Sequence, residues 1–165
     1  MESFKQYLNE ASLSRVYDHS KNRNIGIISA NRGENTKKEN DALSNTLKSD
    51  IRSGGYGFIK INGKYIENKG TDKEAYVDET SYMIIGTDTD DKGKLKNFIK
   101  KLGEKYKQDC IFYKAFDSDQ ALLIGTKSGA WPGHGVEEPK GTFHPNKVSD
   151  YMSYIDGKGK SFTFE

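Results

Sequence analysis

The stretch KGKLKNFIKKLGEKYKQD, residues 92–109, limits what this chain can become more than any other. Leu95, Phe98, Ile99, Leu102 and Tyr106 recur at helical spacing on one side, and seven lysines from Lys92 to Lys107 lie largely on the other. A helix divided in this way is stable only when its apolar stripe is covered, so the chain must supply an apolar surface to receive it. A second stretch makes the same demand. Thr36 and Glu39 have the spacing of a capping box, Leu43, Leu47 and Ile51 follow at helical intervals, and Gly54-Gly55 ends the pattern. This predicts a helix over about residues 37–53.

The receiving surface reads as a sheet. Ile25 to Ile28 form a short apolar run that ends in the turn-rich Asn31-Arg32-Gly33-Glu34. AYVDETSYMIIG, CIFYKA and ALLIGT are further strands, and SFTFE is expected to form a last edge strand. In YGFIKINGKYIEN, Asn62-Gly63 has the chemistry of a two-residue hairpin turn, which would pair Phe58 to Ile61 with Lys64 to Glu67. Residues 127–160 hold all three prolines and many glycines and are expected to be mostly irregular. The order of elements predicts an α+β fold, a mostly antiparallel sheet with two amphipathic helices packed on one face. A third amphipathic helix is expected at the N-terminus, where Phe4, Tyr7, Leu8 and Ala11 form one stripe. Residues 1–21 then make a helix and linker, and residues 22–165 a single domain.

Composition narrows the function. The chain has 12% aromatic residues, too many for a disordered sequence of this polarity. Its single cysteine, Cys110, excludes an intramolecular disulfide, and an intracellular setting is the default expectation. No apolar run is long enough for a membrane span, and no membrane partner is expected. A formal net charge of +2 leaves attraction to nucleic acid to local clustering, for which the Lys92–Lys107 helix face is the one candidate.

Besides this lysine face, three groups of residues carry possible chemistry. Asn31, Arg32 and Glu34 lie where a strand runs into a helix N-terminus, an arrangement whose backbone donors suit a phosphate. Glu67 and Glu79 form a carboxylate pair if neighbouring strands bring them together. Trp131, His134 and His144 sit in a long loop rich in glycine and proline, the type of segment that tends to bind ligands. No metal and no cofactor is expected, because Cys110, His19, His134 and His144 lack any paired ligand spacing.

Two resemblances set the functional expectation. MESFKQYLNEA resembles the capsid-targeting peptides of T-even-type tailed phages, which implies prohead cleavage after Glu10, before Ala11. RNIGIISANRGEN, DETSYMIIG, EKYKQDCIFYK, WPG and FHPN resemble a small uncharacterised protein family of tailed phages. Together they imply a noncatalytic phage accessory or internal virion protein, acting on host defence in the host cytoplasm or carried in the virion interior. Its partners would be a host protein or capsid components. The alternative is a phage enzyme or ligand-binding module acting on nucleotides or nucleic acid.

Overall fold

The computed structural model of the chain describes residues 21–67, 72, 75–87, 90–145, 152–155 and 161–164. The N-terminal stretch Met1 to Ala11, with its expected helix and its Glu10–Ala11 cleavage site, lies outside these residues. The described elements confirm the α+β fold. They are β1 (Ile25–Ile28), α1 (Lys37–Ser53), β2 (Gly57–Glu67), β3 (Ala75–Ile85), α2 (Lys94–Lys105), β4 (Cys110–Lys114), β5 (Ala121–Gly125), β6 (Glu137–Gly141), β7 (Phe143–Pro145), β8 (Met152–Ile155) and β9 (Ser161–Phe164).

Both helices begin where local chemistry places them. Thr36 caps α1 by the reciprocal pair of bonds, its hydroxyl accepting from the Glu39 N–H at 3.2 Å and its own N–H donating to Glu39 Oε1 at 3.1 Å. Asp91 caps α2, its carboxylate accepting from the Gly93 and Leu95 N–H groups at 2.9 and 3.1 Å. The stop of α1 is at Gly54, and Gly55 takes the left-handed conformation, φ 87°.

The strands form one nine-stranded sheet in the order β6-β5-β4-β1-β3-β2-β8-β9-β7, with every pair of neighbours antiparallel. Its two edge strands, β6 and β7, are separated along the chain by Thr142 alone. In a flat sheet they would stand roughly 38 Å apart at about 4.8 Å per strand. One residue spans about 7 Å at most, so the sheet curls until its edges approach.

Strand alternation sorts the core into two layers. Ile28, Tyr82, Ile84, Ile111, Tyr113 and Ile124 point to the side on which Leu47 and Ile51 of α1 and Leu95, Ile99 and Leu102 of α2 pack. Both helices therefore cover one face, as the sequence predicts. Gly26 lets α2 approach the central strand, since a Cβ there would lie 2.4 Å from Ile99 Cδ1. The other face has its own core of Ile25, Ile61 and Met83, each 0% exposed, with Ile27, Ile59 and Phe112 beside them.

Three local expectations are corrected. Asn62-Gly63 forms no turn: β2 runs straight through it, pairing with Thr80 and Glu79 on one side and with Tyr154 and Ser153 on the other. Backbone bonds from two neighbouring strands outweigh the local preference of the dipeptide. The last strand, β9, lies between β8 and β7 and is not at the edge. Residues 127–160, expected to be mostly irregular, contain β6, β7 and β8.

Candidate active site at the end of the central strand

The residues after β1 are stitched to three other elements. Ser29 Oγ donates to the Thr80 carbonyl of β3 at 2.8 Å and accepts the Asn31 N–H at 3.0 Å. Asn40, in the first turns of α1, grips the backbone of Arg32 from both sides, accepting its N–H at 2.9 Å and donating to its carbonyl at 3.2 Å. Ser44 donates to Asn31 Oδ1 at 3.4 Å. The strand-to-helix turn is thus fixed in one conformation.

The C-terminal end of α2 closes on the same turn. Arg32 Nη1 donates to the Lys107 carbonyl at 2.7 Å, and its Nε pairs with Glu34. The cation thereby meets the negative end of α2. The Glu34 carboxyl is held below its ordinary range, first by its own backbone N–H and then by Arg32. Gln108 Nε2 donates to the Asn31 and Tyr106 carbonyls at 3.2 and 3.1 Å. Among the described residues nothing donates to its Oε1. Thr126, at the end of β5, donates to the Gln108 carbonyl at 2.7 Å.

The loop between β5 and β6 joins this end of the molecule through His134, whose Nε2 lies 2.9 Å from Glu104 Oε1 of α2. Glu104 precedes Lys107 by three residues, about one helical turn, so Arg32 and His134 meet the same end of α2. The loop is held by backbone bonds, from the Gly125 N–H to Val136 O and from the Gly135 N–H to Gly125 O, both 2.9 Å. Trp131 itself stays 62% exposed, with Lys140 Nζ 5.7 Å from its ring centre.

On the sheet face turned away from the helices, alternation places Ser29, Glu79 and Cys110 together, since each is an even step from Ile27, Met83 and Phe112 of the second core. Burial pushes the Cys110 thiol up to about 11. Asp109 and Glu79 add to this rise, while the positive charge of Lys140 opposes it. Glu79 and Lys140 therefore both act electrostatically on one half-buried, poorly solvated spot.

The other sequence candidates lie elsewhere. Glu67 stands opposite Ala75 and Glu79 opposite Gly63, so four residue steps, roughly 13 Å, separate the two backbones along the strands. His144 is in β7, opposite Thr163. Of the helix-face lysines, Lys96 pairs with Glu137 and Lys105 with Asp50, while Lys94, Lys101 and Lys107 are exposed. Among the described residues no cluster of histidine, cysteine and carboxylates could hold a metal, and no helix is long and apolar enough to cross a membrane. Gln108 was not among the sequence candidates. The signal for it was the Gln108-Asp109 pair just before β4.

A family model described as the S-adenosylmethionine lyase family matches residues 26–165. The chain belongs to that family. Comparison with curated proteins brought no match. Membership corrects the expectation of a noncatalytic accessory or internal virion protein, because the S-adenosylmethionine lyase is an enzyme that degrades its substrate. Of the alternative, a phage enzyme or ligand-binding module acting on nucleotides or nucleic acid, the enzyme part fits better, while S-adenosylmethionine is a nucleoside derivative and not a nucleotide. The matched residues include Ser29, Asn31, Arg32, Glu79, Gln108, Cys110 and His134 and begin beyond Met1–Ala11.

Proposed function

We propose that this chain cleaves S-adenosylmethionine at the end of β1, on the face that holds Ser29, Glu79 and Cys110. The family match, which spans all of these residues, carries the reading. The substrate brings most of its own chemistry. Its sulfonium is a leaving group that departs as a neutral thioether, and its carboxylate oxygen can reach the γ carbon through a five-membered ring. Forming that O–C bond breaks the C–S bond, and the electron pair goes to sulfur. The products are methylthioadenosine and homoserine lactone, with no proton to move. The competing elimination must remove an unactivated proton from the β carbon, so displacement is the easier course.

This reaction cancels a negative and a positive charge, and it is faster in a dry site than in water. The burial that raises the Cys110 thiol supports such a site. Glu79 is assigned to the α-ammonium, which stays charged throughout. Gln108 Oε1 is a second acceptor at the same strand end. Arg32, committed to Lys107 O and Glu34, positions the turn and does not contact a phosphate, which this substrate lacks.

The purified chain incubated with S-adenosylmethionine should yield methylthioadenosine and homoserine lactone by mass spectrometry. Glu79→Gln should keep the fold and lower kcat/KM roughly 100-fold, the effect of losing one charged hydrogen bond. Absence of both products from the wild type refutes the reading. For a tailed-phage protein, destroying the host's methyl donor in the cytoplasm would blunt defence systems that depend on it, which is the biological role we assign.

A further inference from the structure

Trp131 is the chain's single tryptophan, and with Val136 it makes up the exposed large hydrophobic residues among those described. Both belong to one loop. An exposed indole is ordinary on a loose loop, but this loop is pinned. Gly133 packs so closely on β5 that a Cβ on Gly125 would lie 1.7 Å from its carbonyl oxygen, and His134 ties the loop to Glu104. Trp131 therefore does not anchor the loop, because backbone and histidine contacts do so.

Lys140 sits over the ring, and the charge of this same lysine is felt at Cys110, beside Glu79. Gly125, from which this loop leaves β5, stands opposite Cys110, so the loop that carries the tryptophan starts at the strand end that holds the proposed site. S-adenosylmethionine asks for two kinds of surface: an anion for its ammonium and a flat apolar wall for its adenine. The strand end supplies the first through Glu79. We propose that Trp131 supplies the second, stacking the adenine of the substrate on its open face. This assignment rests on reading the strand end as the substrate site.

The single tryptophan is its own reporter. Titration with methylthioadenosine, which carries the adenine, should change the tryptophan emission saturably, and L-methionine should leave it unchanged. Trp131→Ala should raise KM for S-adenosylmethionine about tenfold, within the range of one base–aromatic stack. The loss should fall on KM more than on kcat, and Trp131→Phe should recover most of it. An exposed position makes both variants fold, which circular dichroism checks. The inference is overturned if methylthioadenosine inhibits cleavage without moving the emission, or if Trp131→Ala keeps the wild-type KM. Should the wild type cleave nothing while methylthioadenosine still moves the emission, the lyase reading fails and the adenine wall stands.

Discussion

The contact between the two helices depends on few atoms. Asp50 of α1 accepts from Tyr106 Oη at 2.6 Å and from Lys105 Nζ at 2.7 Å. Both contacts hold its carboxyl below the ordinary range, Lys105 first, while burial and then Asp50 push the Tyr106 phenol well above its own. Tyr106 therefore remains a donor at any working pH. A carboxyl with a depressed folded-state pKa contributes stability above its unfolded value, about 4, which is lost as pH falls through the folded value. Thermal melts of the wild type should lose about 1 kcal/mol from this group below pH 4, a discount for partial exposure included. Asp50→Asn should lack that component, and identical acid profiles for the two proteins would refute it. At this scale legibility follows sequence distance. The Thr36–Glu39 box was readable because its partners are three residues apart, whereas Gln108 meets Asn31 across 77 positions and no local pattern records that contact. The proposed chemistry is hidden for a further reason: a substrate that carries its own leaving group and nucleophile asks for no triad and no metal-ligand spacing.

Elements were readable where their periodicity was long and misread where one dipeptide carried the inference. Both helices matched, because three apolar residues in one and five in the other had to agree. Asn62-Gly63 failed, because β3 and β8 bond its backbone on both sides and no residue near it announces them. The loop from β5 to β6 shows the same limit in another form. Its order comes from the close approach of Gly133 to Gly125, which only the folded backbone displays. Here the stabilising contact is the absence of a side chain. Gly125→Ala should force backbone against backbone, with no flexible side chain to yield, and destabilise the protein by roughly 3 kcal/mol in urea unfolding. The same substitution at Gly129, where nothing lies within 4 Å but φ is +80°, should cost only about 1 kcal/mol of backbone strain. Equal effects at the two glycines would show that the packing at Gly125 is not what orders the loop.

At the scale of the molecule, the curl of the sheet decides what the two amphipathic helices alone do not. A flat sheet with helices on one face would leave the other face open to water, and its strands would alternate apolar and polar. Here β1 and β3 are apolar on both faces, which the sequence shows as the continuous runs Ile25–Ile28 and Tyr82–Ile85. Runs of this kind belong to strands buried on both faces, and β1 and β3 lie side by side within the sheet. The count of strands and the meeting of β6 with β7 were not readable, since the turn that links them is one residue, Thr142. Two adjacent residues of β3 separate the layers: Ile84 packs under the helices and Met83 into the second core, both fully buried. If both faces are true cores, Ile84→Ala and Met83→Ala should each cost about 2–5 kcal/mol in denaturant unfolding. The two losses should also appear in a single cooperative transition followed by circular dichroism and by tryptophan emission, because one strand carries both side chains. A Met83→Ala variant as stable as the wild type would mean that the second face is covered too loosely to count as core. The strand end bearing Glu79 would then rest on one layer, and the dry environment required for charge cancellation would lose its support.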